Sequence, residues 1–108
     1  MDDIDYSSII ELDLSNKQLN ELPDLSKYTN LEILNCNNNN LTNLYNLPQS
    51  LKVLYCSENK LTDLTRIGRL SNLEILKCKN NNIKYIHTHI AFTQHISNNF
   101  INSNLCKP

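Results

Sequence analysis

Along this chain the alternation of apolar and polar residues recurs four times. Residues 9–22 read IIELDLSNKQLNEL, 31–44 read LEILNCNNNNLTNL, 51–64 read LKVLYCSENKLTDL and 73–86 read LEILKCKNNNIKYI. The segments begin at 9, 31, 51 and 73, so the steps are 22, 20 and 22 residues. With the first residue of a segment as position 1, apolar side chains occupy positions 1, 4, 6, 11 and 14, as in Leu31, Leu34, Cys36, Leu41 and Leu44. Positions 3 to 7 alternate, which predicts a short strand with one face buried. A unit this small cannot bury its apolar face alone, so a fixed period of ~20–29 residues predicts stacked units, a solenoid with one strand per unit. Units are expected at 9–30, 31–50, 51–72 and 73–90. Residues 1–8 are expected to form a flank, or an edge strand through Ile4 and Tyr6. In the stretch that follows, Thr88 fits a helix N-cap and Phe92, Ile96 and Phe100 fall at roughly helical spacing. Residues 91–108 therefore read either as a capping helix or as a frayed end.

Position 9 is Asn in three of the units: Asn39, Asn59 and Asn81. A buried amide there is expected to bond backbone groups of neighbouring turns where the chain leaves the strand. Stacked copies would form an asparagine ladder. Lys17 takes this place in the first unit, where an end position lets its ammonium reach water. His89 takes the slot held by Leu25, Leu47 and Ile67, and regularity fades after it.

The pattern L-x-x-L-x-[L/C]-x-x-N-x-L-x-x-L, recurring in register over residues 9–86, resembles the leucine-rich repeat. The 22-residue units look like its short class, and Leu47-Pro48-Gln49-Ser50-Leu51 of the 20-residue unit looks like the repeats of bacterial effector proteins. The resemblance implies an α/β-type repeat solenoid of about four repeats. Its concave side would be a curved parallel β-sheet, and its convex side extended or 3₁₀. It also implies protein–protein interaction rather than chemistry: effector ligases of this kind keep catalysis in a separate domain.

Charge adds a direction. Net charge is −1 over 108 residues, but residues 1–50 hold eight Asp/Glu and two Lys, and residues 51–108 hold eight Lys/Arg and three Asp/Glu. In a solenoid, the halves of the sequence are the halves of the object. The basic end lacks a dense Lys/Arg stripe interleaved with aromatics, so nucleic acid is not expected. Nothing approaches the ~20 apolar residues of a membrane span, and the acidic start, MDDIDYSS, lacks the features of a secretory signal. Cys36, Cys56 and Cys78 share position 6, which is not a disulfide framework, so a reducing, cytoplasmic setting is expected. The sequon Asn40-Leu41-Thr42 matters only for a secreted chain.

Chemistry finds little footing. The three cysteines, one unit apart on parallel strands, do not converge as a zinc site requires, and read as small core residues. His87, His89 and His95, with Cys106 at a loose distance, lack a placed partner and read as solvated or half-packed. No phosphate loop, nucleophile elbow or Cys–His pair held by a third group is present in the sequence. No cofactor is expected.

The candidate site is the sheet face turned away from the core. Position 3 supplies Glu11, Ile33, Val53 and Ile75; position 5 supplies Asp13, Asn35, Tyr55 and Lys77; position 7 supplies Ser15, Asn37, Ser57 and Lys79. An exposed apolar stripe beside a central Tyr is a favoured interaction surface, although β-branched residues also suit strands for their own sake. The acidic-to-basic gradient along this face would orient a partner of opposite polarity. The partner expected is a protein or peptide. The alternative is weak head-to-tail self-association through the acidic and basic ends.

Overall fold

The structure, a computed structural model, describes residues 3–83. Four strands, β1 (Glu11–Asp13), β2 (Ile33–Asn35), β3 (Val53–Tyr55) and β4 (Ile75–Lys77), form one parallel sheet in the order β1-β2-β3-β4. Register follows the repeat position for position: Leu12, Leu34, Leu54 and Leu76 lie side by side. Strands are short because the turn at position 8 ends each one. Asn16, Asn38, Glu58 and Asn80 have φ of 58°, 59°, 58° and 57°. This left-handed conformation costs most residues about 1–2 kcal/mol, and asparagine tolerates it best after glycine. Asn16, Asn38 and Asn80 thus answer a conformational need.

The inner side chains make one continuous core. Leu31, Leu34, Cys36, Leu41 and Leu44 in the second unit, and their counterparts in the third, are all buried. Each fully buried leucine contributes about 1.5–3 kcal/mol relative to exposure. Asn39, Asn59 and Asn81 form the expected ladder beneath the sheet. Asn59 Nδ2 donates to the carbonyls of Cys36 (3.0 Å), Cys56 (3.2 Å) and Ser57 (3.1 Å), and Asn59 Oδ1 accepts from the Leu41 amide at 3.0 Å. Asn81 repeats this one unit on, with Cys56, Cys78 and Lys79 as acceptors and the Leu61 amide as donor. No buried side-chain nitrogen or oxygen lacks a partner among the described residues. Lys17 is exposed, as its place in the end unit requires, and its amide donates to Asn39 Oδ1 at 3.1 Å.

On the opposite side the chain returns through extended segments and a 3₁₀ turn, Ile67–Arg69. The same tight turn precedes every strand: Ile9, Leu31, Leu51 and Leu73 donate to the carbonyls of Tyr6 (3.2 Å), Tyr28 (3.3 Å), Pro48 (3.3 Å) and Leu70 (3.2 Å). Of the two readings of residues 1–8, the edge strand is the one that fails. Tyr6–Ser8 is a 3₁₀ turn, not an edge strand, and Ile4 is in no strand. The local cause is Asp5, whose carboxylate accepts from the Ser7 amide at 3.1 Å. Tyr6 packs edge-on against Tyr28 with centroids 5.1 Å apart, so the flank copies the last turn of a preceding unit. The C-terminal piece at 91–108, with His87, His89, His95 and Cys106, lies outside the described residues.

Candidate functional site

Each strand contributes two side chains to the open face, and the register aligns them in rows. Glu11, Ile33, Val53 and Ile75 form one row, and Asp13, Asn35, Tyr55 and Lys77 the next. All the candidate residues of these two rows are thus brought together. Ile33, Val53 and Ile75 are half-buried rather than fully exposed. Neighbouring strands ~4.8 Å apart pack a row's side chains flank to flank, leaving their tips to solvent. Tyr55 is likewise half-buried, between Asn35 and Lys77.

The third row is partly committed to the fold. Asn37 Oδ1 accepts from the Ser57 amide at 2.7 Å, and Ser57 Oγ accepts from the Lys79 amide at 3.0 Å. Asn35 Oδ1 accepts from the Asn37 amide at 3.0 Å. These groups close the backbone at strand ends, a role that the sequence pattern did not reveal. A signal for the related turns was present: Asp5-x-Ser7, Asp13-x-Ser15, Asp24-x-Ser26 and Asp63-x-Thr65 each place a carboxylate two residues before the amide that it accepts from.

Charge is distributed as a gradient across the face. Glu11 and Asp13 are exposed at one edge, Lys77 and Lys79 at the other. The Ser15 hydroxyl, 2.6 Å from Asp13 Oδ1, followed by the Ser15 amide, holds the Asp13 carboxyl below its ordinary 3.8. Asp13 therefore stays charged at neutral pH. Among the described residues one ion pair occurs, Lys52–Glu32 at 3.8 Å, half-exposed and worth ~0–1 kcal/mol. Lys77 and Lys79 are thus unpaired among those residues.

Behind the face, Cys36, Cys56 and Cys78 stack as buried free thiols. Burial pushes Cys36 up to about 12; the Cys78 side chain, then burial, pushes Cys56 up as well. As thiols rather than thiolates, Cys36 and Cys56 are poor nucleophiles and poor ligands. Among the described residues no three His, Cys, Asp or Glu side chains converge on a point that suits a metal ion. On the convex side a groove of about 580 Å³ runs between Tyr28 and Pro48, and its lining includes no His or Cys to activate a nucleophile. No described helix is long and apolar enough to cross a membrane.

The family model for leucine-rich repeats, in two copies, matches residues 49–90. A comparison with curated proteins finds none that matches the chain. The matched stretch covers the third and fourth units, and the structure carries the same strand, asparagine and turn back through the second unit, and the same strand and turn into the first at Ile9. With four strands in one open parallel sheet and the family model matched over residues 49–90, the chain folds as a leucine-rich-repeat-type solenoid.

Proposed function

We propose that this chain is a protein-interaction module whose concave sheet face binds an extended peptide or a convex protein surface. Repeats of this family serve generally as interaction scaffolds rather than catalysts. The observation that carries the reading is the register itself. It sets Ile33, Val53 and Ile75 in one row beside Tyr55 in the next, at mid-sheet, with opposite charges at the two edges. Tyr55 and the aliphatic row are the anchors, and truncating a good anchor of this kind costs about 2 kcal/mol or more. Glu11, Asp13, Lys77 and Lys79 set orientation and on-rate. The free column of thiols supports a reducing, cytoplasmic setting.

Head-to-tail self-association gains less support. Its support is the exposed charge of the two edges, Glu11 and Asp13 at one and Lys77 and Lys79 at the other. The test is capture of partners from a lysate of the source cells with the native chain and with Tyr55→Ala combined with Lys77→Glu. Loss of a partner held by the native chain is expected. Unchanged capture would rule out the concave face.

A further inference from the structure

The two ends of the core differ. Leu34, Cys36, Leu41 and Leu44 in the second unit are buried, whereas their counterparts Leu12, Leu14, Leu19 and Leu22 in the first are only half-buried. Ile4 and Ile10 beside them are each 52% exposed. β1 pairs on one side, with β2, and no strand lies on its other side among the described residues. The Leu14 amide donates to Asn35, and the Ile10 carbonyl accepts from Ile33, so the even-numbered residues face β2. Alternation in a parallel ladder turns the amides and carbonyls of Glu11 and Asp13 to the free edge. An apolar end and an unpaired strand edge thus coincide, and such an edge is a template for another strand.

The rim says what kind of strand fits. Between residues 3 and 30 stand six carboxylates, Asp3, Asp5, Glu11, Asp13, Glu21 and Asp24, against two lysines. All six are exposed. A second copy meeting this one N-terminal edge to N-terminal edge would set six carboxylates against six. We propose that the N-terminal edge takes up a basic, extended segment of a partner as a fifth strand. Alternate leucine-type side chains would cover Leu12 and Leu14, and Lys or Arg would lie opposite Asp13 and Glu11. The strand edge is distinct from the Tyr55 region of the sheet face, although Glu11 and Asp13 border both, so the inference goes beyond the function proposed above. The mode is β-augmentation, in which main-chain bonds supply affinity and alternate side chains supply selectivity.

The probe is a peptide with the sequence of residues 73–80, LEILKCKN, with its cysteine replaced by alanine. In the register of the repeat it sets Leu76 beside Leu12, the introduced alanine beside Leu14 and Lys77 beside Asp13. Amide exchange of the full chain is followed by NMR as the peptide is added. Slowed exchange at Glu11 and Asp13, with Tyr55 signals unmoved, is expected. A peptide with both lysines changed to glutamate should give none. Glu11→Pro removes an edge amide without touching the β1–β2 bonds and should weaken binding about tenfold, the worth of one strong hydrogen bond. Should that variant fail to fold, Glu11→Lys with Asp13→Lys keeps the backbone and should abolish binding of the basic peptide. Three results would overturn the proposal: no slowing at Glu11 and Asp13, equal slowing by both peptides, or slowing that grows with protein concentration alone, which would assign the edge to a second copy. Tyr55→Ala leaves the peptide effect intact, so failure here and failure of the sheet-face reading are distinguishable.

Discussion

Removing one rung of the asparagine ladder tests how the repeats are joined. In Asn59→Ala the Leu41 amide loses its acceptor, Asn59 Oδ1 at 3.0 Å, inside a buried site. The carbonyls of Cys36 and Cys56 each lose one donor but keep another, because Asn39 also donates to Cys36 (3.0 Å) and Asn81 to Cys56 (3.0 Å). One stranded buried amide costs about 1–3 kcal/mol and each lost bond about 1 kcal/mol. The loss expected is therefore about 2–4 kcal/mol, a large part of the ~5–15 kcal/mol typical of a domain. Asn59→Asp separates donor from acceptor. It keeps an oxygen for Leu41 but points another at the Cys36 and Cys56 carbonyls. At neutral pH it should cost more than alanine. Its carboxyl is pushed up in the folded state, so the extra loss should fade as pH falls towards the ordinary aspartate value of about 4. Urea unfolding followed by far-ultraviolet circular dichroism reads both variants. A loss below about 1 kcal/mol for alanine, or aspartate as stable as the native chain at neutral pH, would refute the bonding scheme.

Three further outcomes are expected. Glu58 is the residue at position 8 that is not asparagine, with φ of 58°. Glu58→Asn should raise the urea midpoint, by up to about 1 kcal/mol of stability, despite losing the exposed contact between Glu58 and Asn80. Cys36, Cys56 and Cys78 are buried, so iodoacetamide at about pH 8 should leave them unmodified in the folded chain and alkylate them in urea, as read by peptide mass mapping. Ser15→Ala removes the hydroxyl that lowers Asp13, and NMR titration should show that carboxyl move up towards its ordinary 3.8. Because the folded value is the depressed one, the Ser15 contribution is present above 3.8 and is lost as pH falls through the folded value.

Much of the fold was legible in the sequence because a repeat supplies its own alignment. Placing Leu12, Leu34, Leu54 and Leu76 in one column of the text places them in one column of the core, and the same step sets Tyr55 between Asn35 and Lys77. Asn39, Asn59 and Asn81 could be read as structural since a polar residue at a fixed place among leucines needs a backbone partner. What escaped was local geometry without a hydropathy signal. Position 8 mixes Asn with Glu58, and only the left-handed φ shared by all four explains it. The flank, with Ile4 and Tyr6 two apart, mimicked strand alternation, while the Asx turn at Asp5 decided for 3₁₀. The candidate site was legible as a set of rows but not in its accessibility, since how far a row covers its own flanks depends on packing between strands. Asn37 and Ser57 looked like free surface and prove to hold the backbone of the next repeat.

The most direct test of the binding face is site-specific photocrosslinking from two tyrosine positions. Tyr55 lies on the open sheet face, and Tyr45 lies on the opposite side, 45% exposed beneath the Arg66 guanidinium. With benzoylphenylalanine at each position in turn, a discrete adduct from source-cell lysate is expected from position 55, weakened by Lys77→Glu with Lys79→Glu, and none of the same mass from position 45. An adduct from position 45 alone, or equal adducts from both that ignore the lysine changes, would contradict binding on the sheet face.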